Sequence, residues 1–181
     1  MRKLRLDELG RLNLDDYLKV RKLPVIIVLD NIRSLFNVGA IFRTADAFRI
    51  SQIYLCGITA RPPHREIQKT ALGATESVKW QYFQNTSKAI EKLKDEGYRI
   101  IAIEQTDESM ELEKWNCSNM ERMALVFGNE VNGISEQILP MIDSCVEIVQ
   151  YGTKHSLNVS VSAGIIIWHV FSQMKASLDQ D

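Results

Sequence analysis

The sequence predicts an α/β domain built on a parallel sheet, and two observations carry that prediction. Short apolar runs rich in Val and Ile alternate along the chain with segments of helical spacing. The first run, residues 24–30, is continuously apolar up to its final residue, which is typical of a strand buried on both faces. Strands that alternate with helices form a parallel sheet covered on both sides.

The predicted elements follow this alternation. We expect strands at residues 24–30, 52–58, 77–83, 98–105, 122–128 and 144–150. We expect helices at 38–48 with Asn37 as N-cap, at 87–97 ended by Gly97, at 135–143 capped by Ser135, and at 156–174. Residues 59–70 are predicted to be a loop because Pro62 and Pro63 interrupt any regular element.

Length and composition suit one soluble globular domain of 181 residues. We predict a helical N-terminal extension over residues 1–23, the domain over 24–174 and an acidic tail over 175–181. No apolar run approaches the roughly 20 residues that span a bilayer, and the first residues lack the apolar core of a signal peptide. We therefore expect a cytoplasmic protein without a membrane partner.

The positions of the cysteines and histidines argue against a disulfide-stabilised protein and against a zinc protein. Three cysteines lie far apart and in no C-x-x-C pair, so the odd count excludes a complete disulfide framework and favours buried, reduced thiols. The three histidines do not cluster with them at metal-ligand spacing, so we expect no metal site.

Charge is distributed unevenly although the net charge is only −1. Residues 1–80 hold 14 Lys and Arg against 8 Asp and Glu, whereas residues 81–181 hold 8 against 15. A basic half can attract phosphate groups even when the whole chain is nearly neutral. The alternative is a chance asymmetry on a solvated surface.

Polar loops follow several predicted strands, and ligands of parallel sheets bind beyond the carboxyl ends of strands. These loops are 31–43, 106–109, 129–135 and 151–158. Neither G-x-G-x-x-G nor G-x-x-x-x-G-K-[ST] occurs, which argues against an ordinary dinucleotide-binding or P-loop enzyme.

Three segments resemble the motifs of one family. They are N-V-G-A-I-F-R (37–43), F-G-N-E-V-N-G-I-S (127–135) and S-L-N-V-S-V-S-A-G (156–164). Together, in this order and each after a strand, they resemble the SpoU/TrmH family, the S-adenosylmethionine-dependent RNA 2′-O-ribose methyltransferases of the SPOUT superfamily. The resemblance covers about residues 24–174. It implies a SPOUT fold with a deep C-terminal trefoil knot, S-adenosyl-L-methionine as cofactor, tRNA or rRNA as substrate, and a homodimer with active sites near its interface.

The resemblance also implies catalytic residues: Asn37, Arg43, Glu130, Ser156 and Asn158. Because a guanidinium stays protonated in proteins, we expect Arg43 to hold a phosphate or lower the pKa of the hydroxyl rather than act as a base. Asn37 is expected to orient Arg43 or the ribose, and Glu130 to pair with a catalytic arginine or bind a neighbouring loop. Asn158 is expected to position the hydroxyl or the cofactor. The structural alternatives are helix caps for Asn37 and Ser156, and solvated side chains for Arg43 and Glu130.

Cofactor contacts in the family are largely made by the main chain. By position they fall on Glu104, Gln105, Thr106, Gly128, Ile148, Tyr151, Gly152, Ser156 and Leu157. Residues 148–150 read Ile-Val-Gln where many relatives have Ile-Pro-Met, so pocket detail is expected to differ. RNA contacts are expected from cations near the strand ends: Arg33, Arg61, His64, Arg65 and Lys69.

Two functional alternatives stay open beside the 2′-O-methyltransferase. One is a non-catalytic paralogue that binds RNA or S-adenosylmethionine, against which the intact motif residues argue. The other is methylation of a base by a related fold. The sequence does not decide between tRNA and rRNA.

Overall fold

The computed structural model describes residues 1–178, with Leu6 described by its backbone alone. Seven strands form one sheet in the order β3-β2-β1-β6-β4-β7-β5, and every neighbouring pair is parallel. The strands are β1 (Leu23–Asp30), β2 (Ile50–Cys56), β3 (Lys79–Phe83), β4 (Arg99–Ile103), β5 (Met110–Glu111), β6 (Met123–Phe127) and β7 (Ser144–Glu147). The predicted parallel α/β class is confirmed.

Helices cover both faces of the sheet. The α-helices are α1 (Leu14–Lys19), α2 (Leu35–Ala47), α3 (Arg65–Ala71), α4 (Ala74–Ser77), α5 (Thr86–Asp95) and α6 (Val159–Met174). Short 3₁₀ helices occupy Leu6–Leu9, Leu112–Lys114, Glu136–Met141 and Lys175–Leu178. The predicted tail of residues 175–181 therefore begins as a 3₁₀ turn, and residues 179–181 lie outside the described part of the chain.

The central strand β1 explains why its sequence is a continuous apolar run. Val25, Ile27 and Leu29 join the core beneath α2 and α6, whereas Ile26 and Val28 join the core on the α5 face. Successive strand residues point to opposite faces, so a strand covered on both sides needs an apolar residue at every position.

Four predictions about where helices begin or lie were wrong in detail. Residues 59–70 are not all loop, because α3 begins at Arg65 and His64 caps it, its Nδ1 accepting the N–H of Glu66 at 3.2 Å. Asn37 lies inside α2, whose N-cap is Ser34. Ser135 makes no side-chain cap, and the segment after it is a 3₁₀ helix containing Pro140. The last helix starts at Val159, with Asn158 rather than Ser156 as its N-cap.

β5 and the 3₁₀ turn after it were not predicted. β5 is two residues long and lies at the sheet edge beside β7, so its sequence has no periodicity to read.

The cysteine side chains are free, with Cys56 and Cys117 buried and Cys145 half-buried. Burial raises the pKa of Cys56 to about 12 and that of Cys117 to about 11, so both thiols are protonated at neutral pH. In residues 1–178, no helix is both long and apolar enough to cross a membrane. Within the same range, His, Cys, Asp and Glu side chains form no group that could hold a metal ion.

The N-terminal extension is tied to the domain by Tyr17. Its hydroxyl donates a hydrogen bond of 2.6 Å to the carbonyl oxygen of Asp46 at the end of α2. Lys22 in turn donates to the Tyr17 carbonyl oxygen at 2.6 Å and lies over the Tyr17 ring. The leucines of the extension remain largely exposed: Leu4, Leu9, Leu12, Leu14 and Leu18.

A close crossing between α2 and α3 fixes the first turn of α2, which carries site residues. At Gly39 an added Cβ would overlap the Thr70 hydroxyl and the Ile67 carbonyl oxygen. Thr70 Oγ1 also donates a hydrogen bond of 3.1 Å to the carbonyl oxygen of Phe36. The sequence therefore needs glycine at 39 although glycine disfavours a helix interior.

Replacing Gly39 with alanine tests this crossing. We expect Gly39→Ala to lower the free energy of unfolding by about 1–3 kcal/mol, since the added methyl forces the helices apart. Urea denaturation measures the change. Gly152→Ala is the control, because a Cβ there meets no atom within 4 Å, and a shift under about 0.5 kcal/mol is expected. Equal stability of Gly39→Ala and the wild type would contradict the crossing.

Candidate functional site

A pocket of about 560 Å³ opens at the carboxyl ends of β4, β6 and β7. Strand-end residues Ile103, Phe127 and Val146 form its inner wall. The loops after these strands form the rest, mainly residues 128–133 and 155–159. This volume is within the range of small-molecule sites, about 300–1,000 Å³, and the position is where parallel sheets bind ligands.

We name residues 128–134 the pocket loop, and its backbone is folded tightly on itself. Asn129 N donates to Gly133 O at 2.8 Å, and Gly133 N donates to Asn129 O at 2.9 Å. A Cβ at Gly128 would overlap the Gly133 backbone, and one at Gly133 would overlap the Glu104 carboxylate. Gly133 also has a φ of 67°, which glycine adopts without strain. Both glycines are therefore required by the loop.

A buried aspartate at the end of β1 joins three loops around the site. Asp30 is fully buried and accepts hydrogen bonds from the hydroxyl of Thr86 and from Ser135 N, the latter at 2.8 Å. The next residue, Asn31, has a φ of 58° and accepts the Ile58 N–H at its side-chain oxygen at 3.1 Å. Asn31 O accepts from Asn129 Nδ2 at 2.6 Å, which anchors the pocket loop to β1.

A relay of three side chains connects the three sequence motifs. Asn37 Nδ2 donates to Glu130 Oε1 at 3.0 Å, and Asn158 Nδ2 donates to Asn37 Oδ1 at 3.1 Å. Asn158 Oδ1 accepts from the backbone and hydroxyl of Ser160, which fixes the amide orientation. We call Glu130, Asn37 and Asn158 the relay; Glu130 and Asn158 line the pocket, and Asn37 is buried behind them.

The carboxylate of Glu130 also holds the start of α2. It accepts the backbone N–H groups of Arg33 at 2.9 Å and Ser34 at 3.0 Å. Partial burial raises the pKa of Glu130, but the hydrogen bonds from these two N–H groups, from its own backbone and from Asn37 outweigh it and leave the pKa below its ordinary value. Glu130 is thus an ionised acceptor that joins the second motif to the first, and within residues 1–178 it binds backbone N–H groups of a neighbouring loop and no arginine side chain.

The remaining predicted catalytic residues lie differently. Ser156 is exposed and lines the pocket ahead of α6. Arg43 lies on the exposed side of α2 and is not part of the pocket wall. Within residues 1–178 its guanidinium has no hydrogen-bond or ion-pair partner. Among the described residues, the Asn37 amide donates to Glu130 and accepts from Asn158, and it makes no hydrogen bond to Arg43.

Six of the predicted cofactor residues line the pocket: Glu104, Gln105, Gly128, Ile148, Ser156 and Leu157. Thr106, Tyr151 and Gly152 do not. Tyr151 is 97% exposed, and the Thr106 hydroxyl is buried without a partner among the described residues. Gln105 Nε2 donates to His155 O at 3.2 Å and so connects the loops after β4 and β7.

The predicted RNA-contacting cations are all exposed and fall into two groups. Arg61 stacks over the Tyr82 ring at 4.4 Å, His64 caps α3, and Lys69 pairs with Glu66 at 2.8 Å. In the described part of the chain, Arg33 and Arg65 make no side-chain hydrogen bond or ion pair.

Sequence reasoning missed the residues that hold the pocket in shape. Asp30, Asn31 and Asn129 were not singled out, although Asp30 ends the first predicted strand and Asn31 and Asn129 each follow a predicted strand directly. A signal was present, because Asp and Asn directly after a buried strand often end it with local hydrogen bonds. Glu147, Gln150 and His155 also line the pocket and were not predicted.

The fold and the pocket define the class: an α/β domain with a pocket of small-ligand size beyond the carboxyl ends of parallel strands. A sequence profile of the SpoU rRNA methylase family matches residues 24–168. The chain therefore belongs to this family.

Individual relatives support the same placement. The 23S rRNA (guanosine-2′-O-)-methyltransferase RlmB of Neisseria meningitidis serogroup B is 32% identical over 159 residues, which are 87% of this chain and 62% of that protein. The crystal structure of the A. aeolicus TrmH/SpoU tRNA modifying enzyme superposes with a TM-score of 0.80 at 27% identity, covering 91% of this chain and 82% of that one. An AdoMet-bound rRNA methyltransferase from Sinorhizobium meliloti shares the fold, with a TM-score of 0.76 at 24% identity, over 85% of this chain and 59% of that one.

The lowered pKa of Glu130 gives a pH prediction. A carboxylate whose folded pKa is below its unfolded value, about 4.3, stabilises the fold above that value and loses this contribution as pH falls through the folded pKa. We expect Glu130→Gln to be less stable than wild type at pH 7 and to lose less stability between about pH 5 and 3. Urea denaturation across this range measures the difference.

The control for this prediction is Glu108→Gln, which changes an exposed carboxylate between β4 and β5. It should retain the acid dependence of the wild type. The same pH dependence in Glu130→Gln as in wild type would show that the Glu130 hydrogen bonds do not stabilise the native state.

Proposed function

We propose that this protein is an S-adenosyl-L-methionine-dependent RNA methyltransferase that methylates a ribose 2′-hydroxyl of tRNA or rRNA. The observation that carries the proposal is the relay, which brings side chains of all three motifs together at a pocket of cofactor size. Relatives named for 2′-O-methylation of guanosine in rRNA and for tRNA modification support it.

The residues present fit this cofactor. The pocket loop closes with glycines at 128 and 133, which leaves backbone rather than side chain at the wall. Polar side chains of Glu104, Ser156 and Asn158 alternate there with apolar Ile148 and Leu157, a mixture that suits an adenosine and an amino acid group. When bound, S-adenosyl-L-methionine supplies a methyl group on a sulfonium sulfur, the electrophile that a ribose hydroxyl attacks.

The relay residues have a positioning role in this proposal. Because the amides of Asn37 and Asn158 are fixed by hydrogen bonds, the start of α6 and the pocket loop keep a constant separation. Ser156, whose hydroxyl makes no hydrogen bond within residues 1–178, is free to contact the ribose or the cofactor. Holding two reactants in line can lower a barrier by about 7–11 kcal/mol.

Arg43 is proposed to bind the phosphate beside the target ribose. A protonated guanidinium there stabilises the negative charge that develops on the 2′-oxygen as its proton leaves. Its place on the outer side of α2, away from the pocket wall of its own chain, fits a site completed at the contact between two copies.

The second copy is proposed to bind the outer face of α6. Val161, Ile165 and Trp168 form one stripe along this helix, and Leu157 lies two residues before its first turn. All four side chains are exposed, Trp168 by 56%. Gly164 lies in the same stripe, and a Cβ there meets no atom within 4 Å. Leu157 also lines the pocket, so a copy seated on this stripe would stand at the pocket entrance. This arrangement supports a homodimer with active sites near its interface.

The trefoil knot belongs to the proposal as well. β7 pairs beyond β4, whereas α6 returns to pack against α2 on the other side of the sheet centre. The segment between them passes the pocket loop, and both line the same pocket. This crossing is compatible with the knotted SPOUT arrangement.

Methyl transfer tests the function directly. We expect purified protein to transfer labelled methyl groups from S-adenosyl-L-methionine to unmodified tRNA or rRNA, and nuclease digestion with mass spectrometry to yield a 2′-O-methylated nucleoside. Arg43→Ala should lose at least about 100-fold in transfer, because charge stabilisation in the transition state is removed. Calorimetric titration should show unchanged cofactor affinity in this variant.

Other outcomes separate the alternatives. Cofactor binding without transfer to any RNA would favour a non-catalytic paralogue. Recovery of a methylated base would show that the protein methylates a base rather than the ribose. Absence of cofactor binding would overturn the proposal as a whole.

The homodimer is tested by Ile165→Glu. A charge in the centre of the stripe should convert a dimer to a monomer in light scattering, since burying an unpaired carboxylate is costly. Glu is acceptable on an exposed helix, so circular dichroism should show a folded chain. Met110→Glu, at another exposed apolar position, is the matched control and should leave the mass unchanged. A wild-type monomer at micromolar concentration would contradict the dimer.

A further inference from the structure

Phe36 is an aromatic side chain left exposed beside the relay. It lies in the first turn of α2, directly before Asn37, and is 51% exposed. Its backbone is held by Thr70, which donates to its carbonyl oxygen. Phe36 makes no ring contact within residues 1–178. Exposing a phenyl ring to water is unfavourable, and the backbone holds this ring beside the proposed active site. A ligand that covers the ring removes its apolar surface from water, which favours binding.

The helical spacing places Phe36 with Arg43. Seven residues are nearly two turns, so the two side chains occupy one exposed side of α2. Gly39 and Thr70 show that α3 crosses next to this side. Leu72, just after α3, is also 65% exposed, and Ala71 before it lies against Gly39 of α2. The surface thus combines an aromatic ring, an exposed leucine and an arginine.

Cations on the elements that carry this surface point to a nucleic acid. Arg33 lies three residues before Phe36, and its backbone is bound to Glu130 in the relay. Arg65 and Lys69 belong to α3, which crosses α2. An exposed aromatic ring with cations around it is how proteins bind unpaired nucleotides: the base stacks on the ring and the phosphates meet the cations.

We propose that Phe36 is the stacking platform for an unpaired nucleobase of the RNA substrate, at or next to the methylated nucleotide. This proposal rests on the proposed function and adds a substrate class: RNA whose target lies in a loop or another single-stranded region. A base in a continuous duplex is stacked on its neighbours and cannot cover the ring without being unstacked.

The platform is distinct from the proposed dimer stripe. The stripe lies on α6, whereas Phe36 is on the side of α2 next to the α3 crossing. A second copy over Phe36 is nevertheless an occupant that the experiment must exclude. If RNA covers the ring, removing the ring weakens RNA binding. If a second copy covers it, removing the ring lowers the molecular mass in solution.

The first experiment compares Phe36→Ala, Phe36→Leu and Phe36→Tyr with the wild type on the RNA that accepts methyl groups. We expect the KM for RNA to rise between about 5-fold and 100-fold in Phe36→Ala, as for loss of one stacked base. The kcat should change less than about two-fold. Phe36→Tyr should restore the wild-type KM, whereas Phe36→Leu, which is apolar but cannot stack, should not. Met110→Ala is the control for loss of an exposed apolar side chain.

The second experiment does not depend on methyl transfer. Anisotropy of a fluorescein-labelled, mixed-sequence RNA of twelve nucleotides measures single-strand binding, and a duplex of the same length is the comparison. Phe36→Ala should weaken binding of the single strand and leave binding of the duplex unchanged. If the wild type methylates no RNA, the proposed function fails, but this binding difference still supports the platform.

Three results would overturn the platform: unchanged KM and single-strand binding in Phe36→Ala, equal loss with single strand and duplex, or conversion of a dimer to a monomer in light scattering. Calorimetric titration with S-adenosyl-L-methionine completes the set, since a fall in cofactor affinity would indicate a disturbed relay instead.

Discussion

The architecture of the site depends on one buried carboxylate. Asp30 has no exposed surface, so each of its oxygens needs a donor inside the protein. The donors come from three separate parts of the chain: Asn31, Thr86 at the start of α5, and Ser135 directly after the pocket loop. Removing the carboxylate would leave buried donors unsatisfied, which costs about 1–3 kcal/mol for each group. Asp30 is thus needed both for the stability of the fold and for the arrangement of the loops around the site.

The relay that this carboxylate supports is held by fixed hydrogen bonds, which suits a role in positioning. Asn37 and Asn158 are amides without a protonation change, and the hydrogen bonds to Glu130 keep it ionised at neutral pH. Such a constellation suits a reaction whose electrophile is brought in ready by a cofactor, because the protein then mainly aligns the reacting groups. In the proposed mechanism, the exposed Arg43 supplies the charge that the fixed amides lack.

Much of the fold could be read from the sequence because its strands are buried on both faces. The continuous apolar runs leave little ambiguity, and six of the seven strands were located. Helix boundaries were harder to predict from the sequence. Asn37 and Ser156 are suitable N-cap residues, but the N-caps in the structure are Ser34 and Asn158. Tertiary contacts decide where each helix starts. β5 was not predictable, since two residues at an edge carry no pattern.

The site was predicted unevenly for a related reason. Motif residues identified Glu130 and Asn158, and the structure brings both to the pocket. Their partners depend on side-chain geometry between distant segments, which spacing along the chain does not encode. The expected link from Asn37 to Arg43 fails because the two side chains point to different sides of α2. Asp30 was overlooked because a single acidic residue at the end of a strand is usually a solvated side chain without a special role.

The relay also constrains the order in which the molecule can be made. Its two hydrogen bonds join residues 93 and 121 positions apart, and the second requires a residue near the end of the chain. Closing contacts over such separations is slow compared with forming local helices. The site is therefore complete only when α6 has been synthesised and packs against α2. A chain interrupted before α6 would lack both Asn158 and the core side chains that this helix buries, such as Ala163 and Ile167.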